Sequence, residues 1–569
     1  MSYKPPVDEQ KFLLAHVVQL DELTGGNAFP EASADIVDAI VEGAGAFAAG
    51  EFAPLNRVGD EIGARWSPEG VKMPPGYGEA YRAYVEAGWG TLAGPVEYGG
   101  QGLPLSLATV VMEDLGSANM GFSLVMMLTP GAVEALKHHG SEALKETWLP
   151  KLVSGEWTGT MNLTEPQAGS DVGALKTRAE PAGDGSYRIR GQKIFITFGE
   201  HDLTDNILHL VLARVPDAPP GTKGISLFLV PKILPDGRRN DLRCVSIEHK
   251  LGIHASPTCV MSYGDEGGAV GWLIGEENRG MAAMFTMMNN ARLNVGLQGV
   301  SIAERAMQQS VDFAMERVQG SRDGRPARII EHPDVRRMLL RMKALTQSAR
   351  ALAYYTAGQT DRATLGDRAA SARADLLTPL VKAYGTDVGV EVTSLALQVH
   401  GGMGYVEETG AAQHYRDSRI SPIYEGTNGI QAADLVGRKL DLEGGKALSG
   451  LLADMRRDDD EGPLGDLIDA IEDGVAWLRS EASPDDRLAG SYPLLTMLSV
   501  AVAGWLMKRQ SREAERRLAD GEGDPAFLAM KRAAAAYFDT IVEEAIGLAG
   551  QVRRGAGLLY SMPEEAFLA

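Results

Sequence analysis

Glu425 stands in the pentapeptide IYEGT, flanked by Ile423, the ring of Tyr424 and a glycine. A carboxylate in apolar company sheds part of its water, and desolvation raises its pKa toward that of a useful general base. Such a group can take a proton from a weakly acidic position of a bound ligand. One acid among 76 Asp and Glu is ordinarily a solvated surface group, so its standing depends on its neighbours. Residues 161–173 (MNLTEPQAGSDVG) offer Thr164, Ser170 and the amides around Gly169 and Gly173 to phosphate or amide groups of a ligand. The glycines of residues 398–405 (QVHGGMGY) lack the strand-then-helix setting of a dinucleotide fingerprint, and Gly445-Lys446 lacks P-loop spacing. Any nucleotide cofactor must be held in another way. His138 and His139 are adjacent, so on a helix they diverge, and no His, Cys, Asp and Glu cluster has metal-ligand spacing.

These groups need a large scaffold. With 569 residues, 44% hydrophobic and 23% charged, the chain can bury the cores of several domains. Its net charge of -21 repels nucleic acid and anionic membrane surfaces. The two cysteines, Cys244 and Cys259, are too few for a disulfide framework and suit a reducing compartment as small buried hydrophobes. The N-terminus has no signal layout, and the longest apolar run, residues 494–507, reads as a buried helix. A soluble, cytoplasmic protein is the expectation.

Residues 1–155 read as helical, with Leu13, Val17 and Leu20 on one face of a first helix that Gly25-Gly26 stops. The turn-rich stretch 88–104 reads as a surface loop or an approach path. Residues 156–275 read as a β-domain, with an Asp184-Gly185 hairpin and β-rich runs at 193–197, 207–213 and 225–230. Helical periodicity fills 276–450, with Pro326 and Pro333 marking a break. The charged segment 456–462 (RRDDDEG) reads as a linker to a further helical domain over 463–569, with candidate helices near 493–518 and 524–549.

Three segments, 161–173, 398–405 and 416–431 (RDSRISPIYEGTNGIQ), resemble the signature segments of the acyl-CoA dehydrogenase family. The resemblance spans about residues 80–440 in the same order and includes GQKIFIT at 191–197 and GEENRGM at 275–281. The extra N-terminal helix and the domain after 450 resemble the long bacterial branch, which includes broad fatty acyl-CoA and 3-methylmercaptopropionyl-CoA dehydrogenases. The fold class implied is mainly α with a central β-domain: an N-terminal α-domain, a β-barrel-like middle domain, a C-terminal four-helix bundle and the extra C-terminal helical domain.

The resemblance also implies roles. Leu163, Thr164, Phe195 and Thr197 match positions that contact a flavin, Thr427 a cofactor contact just after the base, and Ser170 a position near the acyl-CoA entrance. Arg317, Gln398 and Gly402 match positions that hold the adenine and pyrophosphate end of the FAD of a second subunit, which implies a homodimer. Arg292 and Tyr424 match residues of the substrate pocket. Glu425 becomes the base that removes the proton alpha to a CoA thioester while FAD takes a hydride from the next carbon, giving the trans-2-enoyl-CoA in fatty acid β-oxidation. Some relatives carry the base on the helix around Asn290, but residues 287–296 contain no acid. Departures from the family pattern are Phe195 in place of a common Trp, Asn162 in place of a smaller residue, and VQG after Arg317 without a nearby aromatic.

Electron-transfer flavoprotein is the implied electron acceptor. Straight medium or long acyl chains are the first expectation for the substrate and 3-methylmercaptopropionyl-CoA the alternative. An acyl-CoA oxidase, a flavin monooxygenase on the same fold and a non-enzymatic CoA-ester binding protein are the rival functions.

Overall fold

A computed structural model describes residues 3–25, 28–458 and 462–569. The chain opens with α1 (Val7–Leu13) and α2 (Leu20–Thr24), joined by a π-helical turn (Leu14–Val18). Leu13, Val17 and Leu20 are buried, but they do not share one helix, because Gln19 takes a left-handed φ of 57° between them. Gly25 follows α2 with a right-handed φ of -66°, and Gly26 lies outside the described residues.

The described residues form two compact units, one dominated by Phe29–Asn294 and the other by Val295–Ala569 together with Pro6–Ala28. The first begins with α3 (Ala34–Phe47), α4 (Leu55–Ile62), the ribbon β1 (Arg65–Ser67) and β2 (Gly70–Lys72), and α5 (Tyr77–Glu86). It continues with α6 (Leu105–Ala118), α7 (Met120–His139) and α8 (Glu142–Ser154). Asn119 turns the chain between two buried helices. Its Oδ1 accepts from the Phe122 amide at 3.1 Å as the cap of α7, and its Nδ2 donates to Tyr77 Oη at 3.0 Å. The glycine-rich stretch 88–104 contains two single 3-10 turns, Trp89–Thr91 and Val96–Tyr98.

Eight strands follow: β3 (Thr158–Asn162), β4 (Arg178–Pro181), β5 (Tyr187–Thr197), β6 (Ile207–Ala213), β7 (Ser226–Pro231), β8 (Leu242–Ile247), β9 (Thr258–Tyr263) and β10 (Ala269–Ile274). They form one sheet in the order β3-β6-β7-β10-β5-β9-β8, with β4 on β5 and only β3 and β6 parallel. Every residue of β6 and β7 is buried, which is why they read as continuous apolar runs, whereas β9 alternates with Cys259, Met261 and Tyr263 inward. The expected hairpin joins β4 to β5. Asp184 Oδ1 accepts from the Ser186 amide at 2.9 Å and Gly185 takes φ 85°.

Helix α9 (Gly280–Glu316) contributes residues to both units. The helical reading of 276–450 needs one correction. A β-hairpin, β11 (Val318–Arg322) and β12 (Arg325–Arg328), stands between α9 and α10 (Pro333–Thr364). Asp323 and Gly324 form its turn with φ 51° and 77°, the left-handed pair for which Asp-Gly is favoured, so the signal was present in the sequence. Next come α11 (Arg368–His400), α12 (Ala411–Ser418), α13 (Asn428–Gly437) and α14 (Lys446–Asp458). The chain ends with α15 (Gly462–Ser480), α16 (Pro484–Ala489), α17 (Ser491–Asp520), α18 (Pro525–Ile546) and α19 (Ala549–Val552). Residues 459–461 of the expected linker lie outside the described residues.

Helices α9 and α11 meet backbone to backbone. A Cβ added at Gly296 would overlap the Val381 carbonyl, and one at Gly299 or Gly385 would overlap the carbonyl of Gly385 or Gly296 respectively. Around this contact the unit is tied by buried charge. Lys531 of α18 holds Glu9 of α1 at 2.6 Å, Gln347 of α10 donates to the same carboxylate at 3.2 Å, and Arg350 holds Glu304 at 2.7 Å. All four ionic groups are almost fully buried, and each charge has its partner. The Gly299→Ala variant should force α9 and α11 apart and lose about 1–3 kcal/mol in denaturant unfolding. A midpoint and slope equal to the parent protein would show that the helices do not need the contact.

Candidate active site

Between α12 and α13 the chain makes two overlapping turns. The amides of Ile423 and Tyr424 donate to the Ile420 carbonyl at 2.9 and 3.2 Å, and the Asn428 amide donates to the Pro422 carbonyl at 3.0 Å. Glu425 sits inside with φ 56°, followed by Gly426 at 83°. A left-handed residue with a Cβ costs on the order of 1–2 kcal/mol, so the surroundings must impose it.

The buried side chain of Asn428 anchors the residue whose amide closes this turn. It is 4% exposed, donates to Asp387 Oδ1 at 2.8 Å and Thr386 Oγ1 at 3.0 Å, and accepts from Lys382 Nζ at 2.8 Å. Thr427 caps α13, its Oγ1 accepting from the Ile430 amide at 3.2 Å, and Gln431 Nε2 donates to the Gly426 carbonyl at 3.3 Å. Tyr424 turns its hydroxyl onto Gln298 Oε1 of α9. Burial pushes that phenol well above its ordinary range, and the charge of Glu425 beside it adds to the shift. Burial likewise raises the Asp387 carboxyl, against hydrogen bonds from Tyr492 and Asn428 and the charges of Lys382 and Arg419.

The other unit carries the β-domain candidates. Leu163 and Thr164 follow β3, and the Ile194 amide of β5 donates to the Thr164 carbonyl at 2.9 Å. Beyond it β5 shifts register against β9 between Lys193 and Ile196. Phe195 lies at this bulge with φ 60° and its ring 57% exposed. Lys193 points the other way. Its Nζ is fully buried and donates to the Leu163 carbonyl at 3.0 Å and to Glu165 Oε1 at 2.8 Å. Glu165 also accepts from the amides of Lys176 and Thr177 and from the Thr177 hydroxyl. Burial works to raise the Glu165 carboxyl, but the charge of Lys193 and these bonds hold it well below the usual carboxylate range, while burial depresses the Lys193 ammonium. The hydroxyls of Thr164 and Thr197 are engaged by no group among the described residues.

Asn162 lies in the core of this domain, away from solvent. Its amide donates to Thr160 Oγ1 at 2.9 Å and accepts from the Tyr263 hydroxyl at 2.7 Å, so it is a packing choice inside the sheet. Ser170 is exposed on the loop after Ala168. Arg292 is buried at 5% exposure on α9, and Asn290 accepts a bond from Asn294 at 3.1 Å.

Arg317, Gln398 and Gly402 are all exposed in the second unit. Phe313 stacks on the ring of His400 with centroids 4.5 Å apart, and Gln309 Nε2 donates to the Thr409 carbonyl at 2.8 Å, which joins the end of α9 to the turn after α11. Met315 and Val318 beside Arg317, and Met403, Tyr405 and Val406 after Gly402, are exposed apolar residues of the same segments.

Four successive family descriptions match the chain: acyl-CoA dehydrogenase N-terminal domain over residues 37–156, middle domain over 160–265, C-terminal domain over 278–440, and acetyl-CoA dehydrogenase C-terminal like over 457–563. A 3-methylmercaptopropionyl-CoA dehydrogenase of Ruegeria pomeroyi is 46% identical over 95% of both chains. The chain belongs to the acyl-CoA dehydrogenase family. A broad-specificity linear acyl-CoA dehydrogenase of Mycobacterium tuberculosis shares 33% identity over 94% of this chain and 95% of its own. Among solved structures, the butyryl-CoA dehydrogenase of Megasphaera elsdenii is 28% identical and superposes with TM-score 0.61 over 72% of this acyl-CoA dehydrogenase and 99% of that chain. An acyl-CoA dehydrogenase of Bacillus anthracis complexed with FAD shares the fold over 95% of this chain and 90% of its own, with TM-score 0.74 and 22% identity. Members of the family are oxidoreductases that act on CH-CH groups.

The sequence reading missed the residues that hold the candidates in place. Lys193 has a legible signal, since the two-residue period of β5 puts it on the inward face with Ile189. Asn428 lies inside the quoted IYEGTNGIQ, but nothing local distinguishes it from an ordinary cap residue. Lys382 in LLTPLVKAYG reads as a surface lysine on an apolar helix, and only the packed structure shows it buried against Asn428. Replacing Lys193 with Met should leave Glu165 buried without its cation and cost about 3–5 kcal/mol in unfolding free energy. Calorimetry giving an unchanged transition would remove the pair from the determinants of this domain.

Proposed function

We propose that this chain catalyses the α,β-dehydrogenation of an acyl-CoA thioester to the trans-2-enoyl-CoA, with FAD as cofactor and Glu425 as the base. The observation that carries the reading is the Glu425 turn: a carboxylate residue in a strained left-handed conformation, in a turn closed by a buried asparagine, in a member of this family. Glu425 takes the α-proton as the Cα–H bond breaks, becoming a neutral acid, and its backbone N–H is the donor aimed at the thioester carbonyl. When bound, FAD supplies the two-electron acceptor for the β-hydride.

The residues present fit a flavin. The exposed Phe195 ring offers an apolar stacking face, and the Thr164 and Thr197 hydroxyls are left for a ligand. Leu163, Thr164, Phe195, Thr197 and Thr427 are the proposed flavin contacts. The proposed pyrophosphate contacts are Arg317, Gln398 and Gly402, acting on the cofactor of a second copy, and their joint exposure supports a homodimer. Ser170, Arg292 and Tyr424 are proposed to serve the acyl-CoA.

Electron-transfer flavoprotein is the proposed acceptor, the cytoplasm the proposed location and fatty acid β-oxidation of straight acyl chains the proposed role. Among the described residues no helix is long and apolar enough to cross a membrane. A second substrate reading, 3-methylmercaptopropionyl-CoA, is favoured by the Ruegeria pomeroyi relative at 46% identity over 95% of both chains.

Mixing the yellow protein with a panel of straight acyl-CoAs and 3-methylmercaptopropionyl-CoA should bleach the flavin, and the substrate that bleaches it fastest identifies the acyl group. The Glu425→Gln variant should keep its FAD and lose bleaching by about 10²-fold or more, the scale of a positioned general base. Bleaching at the parent rate would remove Glu425 from the role, and a hydroxylated product with oxygen uptake would replace the dehydrogenase reading with a monooxygenase. In light scattering the flavin-loaded protein should run at twice the mass of one chain or more; a flavin-loaded monomer would refute the assignment of Arg317, Gln398 and Gly402 to a second copy.

A further inference from the structure

The helices after residue 462 belong to the same compact unit as Glu425, and one bonded path runs from them to its turn. Tyr492, in the first turn of α17, donates its hydroxyl to Asp387 Oδ2 at 2.7 Å. The other oxygen of that carboxylate, Oδ1, accepts from Asn428 Nδ2 at 2.8 Å. Asn428 in turn closes the Glu425 turn through its own amide, which donates to the Pro422 carbonyl at 3.0 Å. A single carboxylate thus bridges the added domain and the residue whose amide closes the Glu425 turn. A second strut holds the far end of α13, where Arg487 of α16 donates to the Val436 carbonyl at 2.9 Å.

We infer that the added C-terminal domain positions the base, with Tyr492 acting through Asp387 and Asn428 to hold the Glu425 turn. The inference rests on the reading of Glu425 as the α-proton base. Tyr492 touches no reacting group, so it is a positioning residue. Tyr492 is 39% exposed, and its replacement by Phe removes its hydroxyl contacts, the bond to Asp387 foremost. Without that donor the half-buried Asp387 can rotate toward Lys382 or Arg419, both of which face it, and Asn428 loses a fixed acceptor. Because Glu425 is strained, its conformation persists only while its neighbours over-determine it. Slack at Asn428 is then felt as displacement of the carboxylate, which lowers the rate of proton abstraction without weakening the binding of the acyl-CoA.

The test is anaerobic stopped-flow reduction of the holoenzyme by its acyl-CoA, comparing Tyr492→Phe, Asp387→Asn, the double variant and Glu425→Gln. Tyr492→Phe should lower the limiting rate of flavin reduction by about 10-fold, within the range a misplaced group costs, with the acyl-CoA Kd, FAD content and melting temperature unchanged. Adding it to Asp387→Asn should cause no further loss, as coupling through one carboxylate requires. A parent-like limiting rate in Tyr492→Phe while Glu425→Gln is inactive overturns the positioning role and leaves the base intact. A rate loss that comes with weaker binding and a lower melting temperature overturns it too, since that is the mark of general loosening. Parent-like reduction in Glu425→Gln overturns the base and the positioning role together. Should Asp387→Asn not fold, the split between rate and Kd in Tyr492→Phe decides alone.

Discussion

The Glu425 turn depends on the place where α9 and α11 touch without side chains between them. Gly296 and Gly299 on one helix and Gly385 and Gly389 on the other bring the two backbones into contact. Gln298 lies between the first two glycines and reaches Tyr424; Lys382, Thr386 and Asp387 flank Gly385 and reach Asn428. Separating the helices by the width of a methyl group would therefore disturb both anchors of the Glu425 turn at once. Close-packed interiors transmit such shifts because they have little free volume to absorb them.

Buried ion pairs do comparable work in both units. Lys193 and Glu165 fix the turn after β3 to β5, Arg350 and Glu304 join α10 to α9, and Lys531 grips Glu9 near the start of the chain. Isolated, each of these charges would be costly; paired and hydrogen-bonded, they specify which segment meets which. Two of the left-handed residues lie close to buried polar anchors. Phe195 sits two residues beyond Lys193, and Glu425 three before Asn428. Strain at a site persists only where the surrounding structure holds it, and these anchors are what hold it here.

The helices beyond residue 462 do more than extend the hydrophobic core. Leu464, Leu467, Ile468, Ile471, Val475 and Leu478 bury one face of α15, as their spacing in the sequence requires. The hydrogen bonds from Arg487 and Tyr492, by contrast, reach back to the end of α13 and to Asp387 of α11, which holds Asn428 at its start. In a single chain the added domain and the Glu425 turn thus share hydrogen-bonding groups, not only an apolar contact.

What the sequence by itself determined was local. The β-rich runs placed β5, β6 and β7, the 3.6-residue period the long helices α17 and α18, and Asp184-Gly185 marked its hairpin, because these depend on neighbours close in the chain. The same local rule would have found the β11–β12 hairpin at Asp323-Gly324, but the helical pattern on either side masked it. The signature segments named Glu425, Phe195 and the glycines of 401–404, since short spacing is enough to show them. What only the tertiary structure decided was how those residues are held. Lys382 meets Asn428 across 46 positions and Tyr492 meets Asp387 across 105. No periodicity encodes such pairs, because they are set by which helices pack together, and a lysine, an aspartate or a tyrosine reads the same in sequence whether it faces water or a buried partner.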